Sequence, residues 1–342
     1  MKNYFIYFMA IAIAMASLSG CKKEKDDNNN GKQMQITMTT SSGSIGFYMD
    51  GSGTVSIDWG DGTNDTYTFS QTDSYCEHTF ATASDHITIT GSNITNLSCN
   101  YKVVTALDAS GCTTLTELVC FHCCLTELKV SGCTALTRLW CENNQLTTLN
   151  VSGCSALTEL HCGSNQLTAL DVSNNTALYD LECGYNQLTT LDVSRCSALT
   201  RLWCEGNELT TLNMSGCTAL YSLSCSYNQL TTLDVSNNTA LESLSCYDNQ
   251  LTALNVSGCT TLQYFYCYNN QLTALDASGC IALKYFYCCN NQLTAAALNT
   301  LFDSLHSNTQ WEKFIGIGSN PGSATCDRSI ATSKGWTVYN LC

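Results

Sequence analysis

Proline is almost missing from this chain: Pro321 stands alone among 342 residues. Positive charge is also scarce, with 14 Lys and Arg against 28 Asp and Glu and a formal net charge of −14. Such a surface repels nucleic acid and anionic membranes, so neither is expected as a direct partner. The sequence holds no Gly-x-Ser-x-Gly, no His-Glu-x-x-His and no phosphate-binding loop. Its five histidines, at 78, 86, 122, 161 and 306, are scattered. Glu159 and Glu182 are a conceivable acid pair, but carboxylates are ordinary on any exposed face. No catalytic residue, metal site, cofactor or enzymatic activity is therefore expected. Long apolar runs are missing too, apart from Tyr4–Leu18, which is too short and too near the start to span a membrane.

What the chain has in abundance is repetition. From Ile94 to Leu293 it repeats every 21 residues. Cysteines form one column at Cys99, Cys120, Cys141 and on to Cys288; asparagines form another from Asn144 to Asn291. A fixed short period marks a solenoid, whose rungs bury a shared core that no single rung can make. Leu160 and Cys162 are two apart, so a strand turns both to one side, where Leu157, Leu167, Leu170 and Val172 join them. The order Leu-x-x-Leu-x-Cys-x-x-Asn-x-Leu-x-x-Leu-x-Val resembles the leucine-rich repeat, with Cys in place of the third Leu. Ten units fit. The resemblance implies a mainly β, right-handed leucine-rich-repeat solenoid whose Asn side chains bond backbone of the turn and the next rung. Cys123 and Lys102 break the Asn column. The segment after each core Val is rich in Ser, Gly and Asn, turn formers too closely spaced for a helix. The closest likeness is thus the bacterial, internalin-like branch.

The 24 cysteines suggest a disulfide framework, but the register opposes it. Ladder cysteines stack about 4.8 Å apart with parallel Cβ vectors, whereas a disulfide needs Cβ atoms at roughly 3.5–4.5 Å, turned toward each other. They are expected as small buried hydrophobes. A second column, Cys112 to Cys280, accepts Asn175 and Asn238. Sulfurs in a line do not form a tetrahedral zinc site, and His122 and Cys124 are too few to make one.

Before the repeats, residues 1–20 read as a signal peptide. Leu18-Ser19-Gly20-Cys21 resembles a bacterial lipobox, which implies lipidation of Cys21 and membrane attachment through the lipid. Residues 21–32 read as a charged, disordered tether. Lys25-Asp26-Asp27 is similar to the signal that sends Bacteroidetes lipoproteins outward, implying a surface-exposed, lipid-anchored protein of the cell outer membrane. Residues 33–93 alternate like strands at Met34–Thr40, Ser44–Met49, Thr54–Trp59, Thr66–Ser70 and Ile87–Thr90. Asp58-Trp59-Gly60-Asp61-Gly62-Thr63, with His78 and Phe80 downstream, resembles the PKD-type sandwich. This implies a hairpin turn at Asp61-Gly62 and a core Trp59; calcium on Asp58, Asp61 and Asp65 is the alternative.

Function is expected where repetition fails, on the outward strand positions of residues 94–294. The early rungs mix charge with Trp140, His161 and Trp203. Tyr185 and Tyr227 lie a few positions further along their rungs. The last rungs cluster Tyr247, Tyr264, Tyr266, Tyr268, Tyr285 and Tyr287. Exposed aromatics on a rigid sheet suit a protein partner, with a glycan possible; stacking between rungs is the competing role. A monomer is expected. Residues 295–342 read as an α/β cap: a helix over Ala295–His306, a strand at Phe314–Ile317, a short helix over Asp327–Lys334 and a strand at Trp336–Tyr339. Cys326 and Cys342 are a candidate disulfide.

Overall fold

The 21-residue columns become the rungs of a leucine-rich-repeat solenoid. In each rung a three-residue strand such as Glu159–His161 turns its central leucine inward, and the cysteine that follows points the same way; Leu160 and Cys162 are fully buried. Leu139, Leu160, Leu181 and Leu202 stand in register in parallel strands. The opposite side is made of turns and short strands such as Thr190–Asp192 and Thr211–Asn213, without helix. The computed structural model describes residues 33–70, 74–81 and 86–341. The expected signal peptide, the Cys21 lipidation site and the tether lie outside the described residues.

The Asn ladder shows how irregular backbone survives burial. Asn165 Nδ2 donates to the carbonyls of Cys141 (3.0 Å) and Cys162 (3.1 Å), and its Oδ1 accepts the Leu146 N–H (3.0 Å). One amide thus satisfies three backbone groups of two rungs, groups that are costly to leave bare. At rung two Cys123 takes this place and its thiol donates to the Cys99 carbonyl at 3.0 Å. The second cysteine column works alike. Cys154 Sγ donates to the Val130 carbonyl (3.3 Å), and Asn175 Nδ2 donates to Val151 (3.1 Å) and Cys154 (2.8 Å) carbonyls. Cys and Asn interchange here because each offers a small donor to the rung before.

At the N-terminal end seven strands are labelled: β1 (Met34–Thr40), β2 (Ser44–Asp58), β3 (Asn64–Ser70), β4 (Ser74–Thr79), β5 (Ile87–Gly91), β6 (Ile94–Ser98) and β7 (Val104–Asp108). Two strands expected between Ser44 and Trp59 are one, β2, which bends between two sheets. Its register shifts at Asp50/Gly51. Gly51 is required there, since a Cβ would come within 2.1 Å of the Asn93 carbonyl oxygen. β4 was not legible in the sequence; it pairs with the first half of β2. β6 and β7, the two sides of the first rung, pair antiparallel with β2 and β1. The early strands therefore continue both sheets of the solenoid and share its core. Trp59 is buried, and its indole N–H donates to Asp65 at 2.8 Å. Asp58 accepts the Gly60 N–H, while Asp61 accepts Thr63 and meets His78 at 2.8 Å. The three carboxylates thus have separate partners within the turn.

At the C-terminal end α1 (Ala295–Ser304) buries Leu298, Leu301 and Phe302 against the core. It stops two residues before the expected end, and His306 instead meets the Leu283 carbonyl at 2.8 Å. The strands Lys313–Gly316 and Trp336–Tyr339 add to the same parallel sheet, and α2 (Ser329–Ser333) lies between them. The concave sheet therefore has twelve parallel strands rather than ten. Asn320 continues the Asn ladder, donating to the Cys288 carbonyl at 2.9 Å and accepting the Leu293 N–H at 3.1 Å. It stands 29 positions after Asn291, because α1 is inserted, so a search at 21 passes over it. The pairing of Cys326 is corrected: Cys326 is a free thiol, and Cys342 lies outside the described residues. Cys289 is the disulfide-bonded residue. Its sulfur lies 3.4 Å from the Leu341 carbonyl oxygen.

Candidate functional site

The residues flanking each inward leucine face outward on the concave sheet, and they divide it into two stretches. In the earlier stretch many of the charged groups pair with one another, while Glu142 and Glu205 each keep a buried oxygen without a partner. Arg138 bridges Glu117 (3.0 Å) and Glu159 (3.1 Å) across three rungs, and Arg201 pairs with the buried Asp180. Tyr179 donates its hydroxyl to Glu159. The Trp140 ring is held between the Arg138 guanidinium, 5.2 Å from its centroid, and the His161 ring, stacked at 5.4 Å and 6°. His161 lies 3.5 Å from Asp180 and 3.7 Å from Glu182. Burial works to lower its pKa, but the hydrogen bond and charge of Asp180, with Glu182 and Glu142, outweigh it and hold the imidazolium above the ordinary range. Burial pushes the carboxyls of Glu142 and Glu182 up. Gly163 leaves room for Glu182 and Gly184 for Glu205: a Cβ on Gly163 would sit 3.4 Å from a Glu182 carboxyl oxygen, and one on Gly184 3.3 Å from the Glu205 carboxyl carbon. Trp140 and His161 are thus committed to neighbours, while Trp203 is 38% exposed.

After two rungs of small residues, Ser222 to Ser245, the face becomes aromatic. Three files of rings run across the strands. Tyr264, Tyr285 and Phe314 stack at 5.5 and 5.4 Å, and Phe314 meets Tyr339 at 5.9 Å. Tyr266 stacks on Tyr287 at 5.6 Å and 11°. Tyr227 meets Tyr247 edge-on at 5.2 Å, and Tyr247 stacks on Tyr268 at 4.4 Å. Between the files lies a cleft of about 620 Å³ lined by Tyr266, Tyr268, Asn269, Tyr285 and Tyr287. Burial pushes the Tyr247, Tyr266 and Tyr268 phenols up, so they remain neutral donors. Gly316 lets Tyr287 lie flat, since a Cβ there would come 2.7 Å from its ring.

The structure therefore brings six of the expected tyrosines (247, 264, 266, 268, 285 and 287) into one patch, with Tyr227 at its border. Tyr185 stands apart, 58% exposed and resting against Gly206. Tyr185 and Tyr227 belong to a column with left-handed backbone, φ +55° and +53°, which Asn143, Ser164, Asp248, Asn269 and Asn290 share. The Asn, Asp and Ser in that column fit a position that favours short polar side chains. Sequence reasoning missed Phe314 and Tyr339, which extend the aromatic file beyond the repeats; their signal was the strand pattern of the tail. Asn269 was missed as well. It accepts from Asn290 and donates to Asp248, both at 2.9 Å, along the edge of the cleft.

No protein-family model and no curated protein matches the chain. Among solved structures it is similar to the functional domain of InlJ from Listeria monocytogenes, which includes a cysteine ladder: 34% identity, TM-score 0.63, covering 77% of this chain and 57% of that one. The chain thus spans little more than half of that structure's length. It is also similar to the leucine-rich effector YopM of Yersinia pestis (22% identity, TM-score 0.51, 63% and 58% covered). An internalin, InlF of Listeria monocytogenes, matches at 19% identity and TM-score 0.50, with 66% and 74% covered. At those identities the last two show the fold alone.

Proposed function

We propose that this is a binding protein, not an enzyme, which recognises a protein partner on the concave tyrosine patch and serves in adhesion. The observation that carries the reading is the patch itself: three files of rings, neutral hydroxyls and an open cleft on a sheet already formed before any partner arrives. Rigid amphipathic rings supply contact area at low entropic cost. The earlier charged stretch supplies the rim and steers the approach of a partner. The likeness to an internalin-type domain supports an interaction scaffold, while fold alone does not dictate function. The lipobox-like Leu18-Ser19-Gly20-Cys21 supports lipid attachment to a cell envelope, and Lys25-Asp26-Asp27 supports outward display. A glycan ligand for nutrient capture is the second reading. It is favoured by one feature, a cleft whose lining is Tyr and Asn without charge.

The test is a screen of the chain from Lys22 onward against extracellular-matrix protein and glycan arrays. A protein hit that is lost on Tyr266→Ser with Tyr287→Ser supports adhesion. A glycan hit lost in the same way moves the protein to carbohydrate capture. Binding that survives both changes removes the patch from the account.

A further inference from the structure

The rings of the aromatic patch cover one another. Tyr264 and Tyr266 flank the inward Phe265 and pair in register with Tyr285 and Tyr287 of the next rung. The stacked rings are near-parallel, at 5° and 11°, and Tyr247 lies at 10° to Tyr268. Ring faces are therefore spent inside the files, and what points outward along the patch is ring edge and hydroxyl. Ring edges carry the positive end of the aromatic quadrupole. Burial keeps the Tyr266 and Tyr268 phenols protonated, so they can donate. The surface suits a ligand rich in bare acceptors. Neighbouring files stand two residues apart along the strand, about 6.6 Å, and the grooves between them run across the strands, from rung to rung.

An extended, proline-rich peptide segment meets both conditions. Proline has no backbone N–H, and a polyproline II chain makes no internal hydrogen bonds, so its carbonyls are open. It has three residues per turn and advances roughly 9.3 Å per turn; two rungs advance about 9.6 Å. A chain laid along a groove thus shows an equivalent face to every second rung. Sugar rings need exposed aromatic faces, and these occur only at the start of the files, where Tyr264 and Tyr266 stand beside Ser243 and Ser245.

Charge gives the segment a second feature. The two rungs before the patch carry only serine outward on their strands, at 222, 224, 243 and 245, a trough with room for a chain to pass. Beyond it stands Glu205, which keeps a buried carboxylate oxygen without a partner. The rung of Glu205 lies three steps before that of Tyr266, about 14 Å, or roughly five residues of polyproline II. We infer that the cleft takes a polyproline II segment of a protein partner, with its carbonyls on the Tyr266 and Tyr287 hydroxyls and a basic side chain about five residues away over Glu205. This rests on the reading of the patch as a protein-binding site and names the chemistry of what binds there.

The test titrates the purified full chain into a fluorescein-labelled peptide of about ten prolines with an arginine at each end, roughly 31 Å of proline chain, and reads polarisation. A glycine-serine peptide of the same length and charge is the control. The expected result is saturable binding of the proline peptide, at least about tenfold tighter than the control. Tyr266→Ser with Tyr287→Ser should weaken it at least about tenfold. Tyr266→Phe with Tyr287→Phe keeps the stacked rings, which guards against a folding defect, and should still weaken it about fivefold through the lost hydroxyl donors. Equal binding of the two peptides, or undiminished binding by the Phe variant, would overturn the proposal. No peptide binding, while matrix-protein capture still depends on the tyrosines, would overturn the polyproline segment and leave the patch as a protein site; loss of that dependence as well would sink both. Tyrosine-dependent binding of a soluble cello-oligosaccharide in place of the peptide would overturn the segment in favour of carbohydrate.

Discussion

The two stretches of the concave sheet rest on nearly the same interior and differ chiefly in what faces outward. Beneath Arg138 and beneath Tyr285 the leucine, cysteine and asparagine columns continue unchanged, apart from Phe265 and Phe286 replacing the inward leucine. Above them the earlier stretch is largely paired: guanidinium meets carboxylate, indole stacks on imidazole and a tyrosine hydroxyl meets Glu159, while Glu142, Glu205 and the Trp140 indole nitrogen each keep a buried polar atom without a partner. The later stretch stacks its rings on each other but leaves a cleft open. The difference teaches that stability and recognition are carried by separate columns of one repeat, so the two can be perturbed separately.

The strongest way to break that separation is to cut the shared interior. Asn186→Ala and Asn249→Ala each strip two Cys carbonyls and one Leu N–H of their partner. Each should lower unfolding stability in urea by about 2–4 kcal/mol, and by similar amounts in both stretches. A clear inequality would mean that the interior is not equivalent beneath the two faces. Next in size, Tyr266→Ser with Tyr287→Ser should weaken partner binding at least about tenfold while costing roughly 1 kcal/mol of stability, the worth of one aromatic stack. Arg138→Ala should cost less than about 1 kcal/mol, because the Arg138 side chain is 37% exposed and its charge is screened, and the loss should fade in high salt.

A graded pH effect sharpens the same contrast. The pKa of His161 is raised from 6.5, and those of Glu142 and Glu182 from 4.5. A group whose folded pKa is raised contributes stability that is fully present below its unfolded pKa and is lost as pH climbs through the folded one. The contribution of these three groups should therefore fall as pH rises from below 4.5 to above 6.5, opposed at the acid end by Glu159, whose pKa is lowered, and His161→Gln should flatten the upper part of that slope in melting curves. An unchanged slope would remove His161 as its source. The smallest change expected is Cys154→Asn, within about 0.5 kcal/mol, because Asn175 already performs this role one rung on. A large loss would show that the two side chains are not interchangeable.

Much of this architecture was legible because a strict period exposes which residues are interior. Leu160 and Cys162 could be assigned from spacing, the role of Asn165 from the resemblance to the leucine-rich repeat, and the tyrosine cluster could be seen as the column that varies. What escaped lay where the period ends. β2 is a single bent strand because Gly51 permits a close crossing with Asn93, a tertiary fact with no local signature. Asn320 was hidden behind the insertion of α1, and the two tail strands, expected as parts of a cap, gave no sign that they extend the parallel sheet. The disulfide at Cys289 was missed because Cys289 reads as one more outward residue of its column, and nothing in the repeat shows that Leu341 comes beside it. Within the candidate site, sequence placed the tyrosines on one face, but not the commitment of Trp140 to Arg138 and His161, which depends on side-chain packing between rungs.

The most direct test compares the parent chain, the Tyr266→Ser/Tyr287→Ser variant and a Trp203→Ser variant on one matrix-protein array, with melting curves for all three. The account predicts a protein signal that the tyrosine variant loses and the Trp203 variant keeps, with melting temperatures close to the parent. Equal binding by all three proteins, with a marked fall in melting temperature for the tyrosine variant alone, would contradict it and make the rings a structural ladder.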